Sequence, residues 1–431
     1  HPGGMVLSAR SLAETVPLQR SAMEGRFICQ WDKDSIDDAG FVKIDFLALG
    51  ALSQMNEAIK LIELHREERV DLSRIDFSDQ KVYKSIHEAD TIGVFQVESA
   101  AQMQTTPRIR PKDLKEMAWE VGAVRPGVGV NNGVSTLIRR HTGLETDWQY
   151  DHPLEREALE RTLGVVLYQD QLMELGKYVA GMSAAEADRM RRAFSRRNAD
   201  QLVPMWHEKF ISGAIAKDVP LAIAEKIFLK FHGEFQFPEA HAFAFGVTAF
   251  QAAWLKYYYP LEFFVGLFNQ QPMGFYNLET LKEDARRHGV EVLNPDVNRS
   301  DEKAVVENGN LRLGVRHVRR VQKATSEAIL ATRRRFGEFE SISDFMMRAG
   351  IQHEALDNLA DAGFFDSLDE DRRSTRWEIG LRYRPIGSQL GFDMPVEQDM
   401  VDLPGQSPFE VMVGEYRTMG VYPKGHLMAK L

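Results

Sequence analysis

Apolar side chains recur three and four positions apart through most of this 431-residue chain. That period lets a helix bury one face and commits the chain to a mainly helical fold. Helices are predicted at 51–68, 154–162, 168–180, 184–197, 221–232, 241–258 and 260–269, with Pro153 and Pro260 placed to start two of them. Two further helical pairs read at 321–348 and 353–362. One stretch breaks the period. Phe41-Val42-Lys43-Ile44-Asp45-Phe46 alternates between Gly40 and Gly50, which predicts a strand with Val42, Ile44 and Phe46 on a buried face. The expected class is α+β, mostly α. Between 289 and 318, Pro295, Asn298 and Asn308-Gly309 punctuate short apolar runs, the pattern of a linker with a small hairpin. Residues 383–410 carry Pro385, Pro395, Pro404 and Pro408 and read as an extended tether.

A chain of this length exceeds one ordinary core, so roughly two to four domains are expected. Hydrophobic residues at 44% and charged residues at 27% exclude wholesale disorder. Cys29 is the single cysteine, which excludes an intrachain disulfide and a multi-thiolate zinc site and suits a reducing, cytoplasmic setting. The twelve histidines include no pair at metal-ligand spacing. The most apolar stretch, Ala242 to Leu255, is interrupted by Thr248 and Gln251 and is too short for a membrane span, so no membrane partner is expected. Neither the GxGxxG nor the GxxxxGK[ST] phosphate-binding pattern occurs. The chain opens at His1 rather than Met and is expected to be an internal piece of something longer.

A formal net charge of −10 argues against a general affinity for nucleic acid, but the positive charge is clustered. Residues 189–197 hold five arginines, and residues 312–335 hold eight Lys or Arg against the single acid Glu327. Such patches decide whether a phosphate backbone can dock. Lys43 and Asp45 share one face of the predicted strand, about 7 Å apart. An acid beside a lysine suits a Mg²⁺ ligand next to a triphosphate-binding cation. A solvated ion pair at a sheet edge has the same pattern and is the commoner use of it. Ser183-Ala184-Ala185-Glu186 reads as a capping box opening a helix whose apolar stripe is Ala187, Met190 and Phe194. Arg189, Arg192 and Arg196 fall within about 60° of one another on another face. No acid is seen at the i+4 spacing, which favours polyanion recognition over a solvated charged face. Near Phe237-Pro238-Glu239-Ala240, His241 could touch a base or phosphate, or could simply cap or pack the helix.

These residues resemble the bacterial C-family DNA polymerases, the group of the replicative polymerase III alpha subunit. Gly40 to Leu47 resembles the palm strand that bears the family's third catalytic aspartate. Ile92 to Ser99, Arg125-Pro126-Gly127, Tyr168-Gln169-Asp170-Gln171 and Arg189-Met190-Arg191-Arg192-Ala193 resemble successive fingers motifs. The opening His1 to Leu7, Gln271 to Tyr276 and Asp284 to Val290 resemble the error-prone branch. Leu313 to Leu330 and Phe345 to Phe365 resemble two helix-hairpin-helix elements.

The resemblance implies template-directed DNA synthesis from dNTPs by a two-metal mechanism, in the setting of damage-induced, error-prone translesion synthesis. Asp45 would be the catalytic metal ligand, sharing two Mg²⁺ ions with two further aspartates. Lys43, Arg189, Arg191, Arg192 and His241 would bind the nucleotide. On the helical wheel Arg191 lies off the main arginine face, in conflict with the motif. The implied organisation is the end of a polymerase palm at 1–50, fingers at 51–297, a tandem helix-hairpin-helix region at 298–368, and at 369–431 a clamp-binding tether leading toward an OB domain. Expected partners are primer-template DNA, the sliding clamp and mutagenesis accessory proteins. Gln389, Leu390 and Phe392 would dock the clamp, although a plain loop reads equally well there. Arg320 and Gln322 stand where the family's hairpin carries glycine, so duplex grip is expected from side-chain charge, on Arg316, Arg319, Arg320 and Lys323. Ala240 stands where the family has serine. The family's Pro-Asp-x-Asp pair, Gly-Ser loop, thumb and amino-terminal domain have no counterpart here, so the chain is expected to be inactive alone. The replicative paralogue and a non-catalytic DNA-binding or scaffold protein are the alternatives.

Overall fold

The computed structural model describes residues 4–21, 25–45, 49–124, 133–194, 199–231, 237–383 and 399–429. They fall into two compact units, His1–Ser53 and Gln54–Leu431. In the first, β1 (Gly4–Leu7), β2 (Leu18–Arg20), β3 (Phe27–Cys29) and β4 (Val42–Asp45) form two antiparallel ribbons, β1 with β4 and β2 with β3. Gly4 lies opposite Asp45 and Val6 opposite Lys43. The predicted strand is present, but its apolar face is not buried: Val42 is 59% exposed and Met5, on the paired strand, 52%. A two-stranded ribbon has too little surface to cover its own apolar side.

The second unit is mainly helical, in agreement with the expected class. Helices Gln169–Tyr178, Ala184–Ala193, Leu221–Phe228, Glu239–Tyr258 and Pro260–Asn269 lie where the periodicity puts them. The helices Ala100–Ile109 and Ala199–Ile215 escape sequence reading because each contains a proline, Pro107 and Pro204. Gln80–His87, Leu114–Ala123 and Leu278–Arg287 are further helices that the sequence reading does not include. Pro260–Asn269 is buried on every side, and its Phe263, Phe264, Leu267 and Phe268 join one apolar core with Met55, Val82, Phe250, Val292, Phe345, Phe364 and Met419.

The expected linker at 289–318 is part of that core. Its Asn308-Gly309 hairpin is present, with φ of 50° and 79° at the turn. The hairpin strands β6 (Val305–Glu307) and β7 (Asn310–Arg312) are joined by β5 (Val292–Leu293), parallel to β7, in the order β5-β7-β6. Val297, Leu311 and Leu313 are fully buried, which a linker would not allow.

Of the expected tether, the described residues 400–407 carry neither helix nor strand. Residues 384–398 lie outside the described residues, but Pro408 opens a helix, Pro408–Met419, behind a Ser407–Glu410 capping box. A buried polar seam fastens this helix down. Glu415 pairs with Arg372 (2.7 Å) and accepts from Asn294 Nδ2 (2.7 Å), Tyr416 Oη donates to Glu279 (2.8 Å), and Lys282 Nζ donates to the Tyr422 carbonyl (3.0 Å). Buried charges persist where each has such partners.

The first helix-hairpin-helix turn keeps its backbone without glycine. Arg320 takes φ 65°, and Gln322 precedes the helix Lys323–Phe336 in an extended conformation. The second repeats this with Gly350 at φ 56° and Gln352 before the helix His353–Asp361. Long polar residues occasionally accept the left-handed region at a cost of about 1 kcal/mol, so lost glycine does not mean lost geometry.

Within the helix Leu114–Ala123, Glu120 is fully buried and neither carboxylate oxygen has a partner, since the nearby Thr106 hydroxyl donates to the Gln102 carbonyl instead (2.8 Å). Burial pushes the Glu120 carboxyl up to about 8 from its ordinary 4.5. The folded protein therefore holds a proton that the unfolded chain has released, and stability falls as pH rises from about 5 to 8, at up to about 1.4 kcal/mol per pH unit. In thermal melts across that range, Glu120→Gln should flatten the decline. Equal slopes for variant and parent would remove Glu120 from the account.

Candidate functional site

The arginine helix Ala184–Ala193 opens as expected, with Ser183 Oγ accepting from Glu186 N (3.3 Å) and Glu186 Oε2 accepting from Ser183 N (2.9 Å). Ala187, Met190 and Ala193 are its buried residues, and Phe194 packs beside them. The expectation that no acid sits at helical spacing is wrong. Asp188 lies three and four residues before the paired arginines and holds both: Oδ1 accepts from Arg191 Nη2 and Oδ2 from Arg192 Nη2, each at 2.8 Å. The wheel separates Arg191 and Arg192, but their long side chains converge on one carboxylate. Arg189 lies exposed and folds back, its Nε donating to the Ala185 carbonyl (3.2 Å). Arg196 lies outside the described residues.

Four consecutive residues at the start of the helix Gln169–Tyr178 hold the surroundings together. Tyr168 bridges to Phe237 in parallel, and Gln169 N donates to the Phe237 carbonyl (3.1 Å). Gln169 Oε1 accepts from Arg191 Nη1 (3.0 Å). Asp170 Oδ2 accepts from Glu239 N (2.8 Å), at the start of the helix Glu239–Tyr258. The Gln171 amide is wholly used: Oε1 accepts from Leu167 N (2.8 Å) and Tyr168 N (2.9 Å), and Nε2 donates to the Ala158 carbonyl (3.1 Å) and Thr162 Oγ1 (2.6 Å). Arg161 completes the seam, pairing with Glu239 and Glu174 at 2.7 Å each. His241 lies two residues beyond Glu239, exposed, its ring 4.8 Å from Phe237 and 4.3 Å from Phe245. One short segment thus ties the arginine pair to the element that carries His241.

Of the remaining expected residues, Lys43 is exposed on β4, and only the backbone of Asp45 is described. Arg316 is exposed. Arg319 holds the end of the Pro408–Met419 helix, its N donating to the Thr418 carbonyl (2.8 Å) and its Nη1 to the Arg417 carbonyl (3.1 Å). Arg320 pairs with Glu354, across to the second hairpin, and Lys323 lies 3.6 Å from Glu327. Gln389, Leu390 and Phe392, with Arg125-Pro126-Gly127, lie outside the described residues.

Three family models match in succession: the bacterial DNA polymerase III alpha NTPase domain over residues 1–48, the bacterial DNA polymerase III alpha subunit finger domain over 51–218, and a helix-hairpin-helix motif over 289–375. Proteins named error-prone DNA polymerase match along almost the whole chain. That of Nocardia farcinica is 38% identical over 100% of this chain and 39% of its own length. That of Corynebacterium jeikeium is 37% identical over 99% and 39%, and that of Dechloromonas aromatica 36% over 100% and 42%. The chain belongs to the bacterial DNA polymerase III alpha subunit family. It spans about two fifths of the length of the curated relatives it matches.

In this polymerase III alpha family member, other motifs prove to be structural staples. Glu98, from the 92–99 motif, accepts from Tyr276 Oη (2.6 Å), from the 271–276 motif. Asp284 and His288 meet Asp90 and the buried Lys256. Lys256 Nζ lies 2.6 Å from Asp90 and 2.7 Å from Asp284, and His288 Nε2 donates to Asp90 (2.7 Å). Burial opposes the charge on His288, yet its bonds to Asp90 and the Asp284 carbonyl raise its pKa overall. Asp90, Asp284 and His288 are spaced like metal ligands. The Lys256 ammonium already supplies the cation there, so a metal does not fit.

Sequence reading passes over Asp188 and Arg161, and it quotes Gln169 and Asp170 only within a motif, without a role. Asp188 is legible from its i+3 and i+4 spacing, whereas the other three contact residues remote along the chain. Asp170 caps a helix that begins 69 residues later. Asp170→Ala should cost about 1 kcal/mol in urea unfolding of the helical unit. A change under about 0.3 kcal/mol would mean that the helix start does not depend on this cap.

Proposed function

We propose that this chain supplies the fingers, the duplex-gripping hairpins and one palm strand of an error-prone DNA polymerase that adds deoxynucleotides to a primer 3′-hydroxyl under template direction. The observation that carries the reading is the Tyr168–Gln171 segment, in which Gln169 braces Arg191, itself joined to Arg192 through Asp188, while Asp170 caps the start of the His241 helix. Paired guanidiniums grip phosphate oxygens in two-pronged fashion and stay charged at any working pH. Arg191 and Arg192, aided by Arg189 and Lys43, take the triphosphate of the incoming dNTP, and His241 meets its base or phosphate.

Asp45 offers a hard carboxylate oxygen, the donor chemistry that Mg²⁺ prefers, at the end of a paired strand. Bound Mg²⁺ supplies charge neutralisation at the transferred phosphoryl group and a more nucleophilic primer hydroxyl. A Pro-Asp-x-Asp pair to complete such a site is not among these 431 residues.

The two hairpins hold duplex phosphates through backbone N–H groups. Gln322 and Gln352 precede their helices without a side-chain cap bond, which leaves first-turn donors for a phosphate. Arg316 and Lys323 add charge beside the first turn. Gln389, Leu390 and Phe392 dock the sliding clamp, mutagenesis accessory proteins join the assembly, and the setting is cytoplasmic. No helix among the described residues is long and apolar enough to cross a membrane. The names of the relatives favour the error-prone over the replicative reading.

In the full-length polymerase, Asp45→Asn should abolish primer extension while leaving primer-template affinity within about twofold. Unchanged extension would end the assignment. Arg316→Ala with Lys323→Ala should weaken DNA binding alike for all sequences and shallow the salt dependence by about one unit of slope for each phosphate no longer held. An unaltered slope would take these side chains off the DNA.

A further inference from the structure

Asp188 sits where a phosphate would have to come. Its two oxygens divide between the two guanidiniums, Oδ1 receiving Arg191 Nη2 at 2.8 Å and Nε at 3.2 Å, and Oδ2 receiving Arg192 Nη2 at 2.8 Å. This is how two neighbouring oxygens of a phosphate group engage a pair of arginines. Hydrogen bonding from Arg191, then Arg192, holds the Asp188 carboxyl below its usual range, so the group remains an anion throughout neutral pH.

The two arginines are not held alike. Arg191 is 22% exposed and has a second anchor in Gln169 Oε1 (3.0 Å). Arg192 is 60% exposed and pairs with Asp188. Asp188 is itself partly open to solvent at 32%, so both pairs can exchange with a dissolved anion. Exchange begins most readily at Arg192, while Gln169 keeps Arg191 aimed.

We propose that Asp188 is a resident counter-anion that an incoming triphosphate displaces from Arg192, and that it thereby sets the charge threshold for anions at the fingers helix. This rests on the reading of Arg191 and Arg192 as triphosphate holders. A weakly charged anion gains too little from one guanidinium to displace a fixed carboxylate, whereas a triphosphate presents several charges and many oxygens at once. Pyrophosphate, the product, carries fewer of both and is released more easily because Asp188 returns. Asp188 acts through the arginines, as a specificity-determining residue that need not touch the nucleotide.

The test uses the full-length polymerase with Asp188→Asn and Asp188→Ala, alongside Arg191→Ala and Arg192→Ala. Steady-state extension gives KM for dNTP and kcat, and added inorganic pyrophosphate and tripolyphosphate give inhibition constants. Exposed pairs of this kind are each worth about two- to fivefold in an equilibrium. Removing Asp188 should therefore lower KM for dNTP about three- to tenfold and deepen inhibition by pyrophosphate by a larger factor, so that discrimination between the two shrinks. The asparagine variant keeps the side-chain shape, and matching melting temperatures separate a charge effect from a folding defect. If both Asp188 variants raise KM, Asp188 merely orients the arginines and the proposal is overturned. Constants within twofold of the parent overturn it too. In either case, a raised KM in Arg191→Ala and Arg192→Ala leaves the triphosphate reading standing. Arginine variants with unchanged KM would bring down that reading and the proposal with it.

Discussion

The helix Pro260–Asn269 is buried over its whole length, and most of the large helical unit is organised by that burial. An all-round apolar helix must find partners on every side. Leu267 and Phe263 press on Gly93, whose φ of 77° and lack of Cβ are both required, because a Cβ there would lie 2.5 Å from Leu267. Gly266 admits the Gln54 carbonyl, 2.8 Å from where a Cβ would stand. Asn269 grips Ala304 through both its amide nitrogen (2.9 Å) and its oxygen (2.8 Å). Glu262 pairs with Arg66 at 2.6 Å. Each buried Phe or Leu contributes about 1.5–3 kcal/mol, while these polar contacts fix which neighbour meets which face. Residues 54–66 of the helix Gly50–Arg66, the 92–99 motif and the small sheet are thereby set against one element.

Arginine alignment depends on a second, smaller hub. The Tyr168–Gln171 segment makes a strand-like bridge, a side-chain brace, a helix cap and a filled amide in four residues, so local displacement would disturb Arg191 and the His241 helix together. The amide of Gln171 has no spare donor or acceptor, which makes the hub rigid rather than adaptable. Rigidity there suits the nucleotide site proposed above, because guanidiniums held in advance lose less freedom when a phosphate binds. Asp188 contributes charge balance to the same arrangement.

Legibility follows the range of the interaction. The helix Ala184–Ala193 is readable because its cap, apolar stripe and arginines all lie within a dozen residues. Pro260–Asn269 is readable because Pro260 and the apolar run from Phe263 to Phe268 mark it. The fastened helix Pro408–Met419 hides behind prolines that suggest a tether, and its anchors, Glu279, Lys282, Asn294 and Arg372, are far away in the chain. The hairpin at Arg320 is legible as a motif, but its left-handed backbone without glycine is not. Residue type bears on the cost of a left-handed backbone but not on whether the flanking structure will require it, as it does at Arg320, φ 65°.

From residue order alone came the helical class, the arginine cluster, the strand that carries Asp45 and the family resemblance, because periodicity, charge spacing and motif order are local properties of a chain. Tertiary structure decided that Gln169 and Asp170 join Arg191 to the His241 helix, and that Lys256 fills what looks like a metal cage. Those outcomes depend on which distant backbones the buried helices bring within hydrogen-bonding distance, and no local pattern encodes that distance.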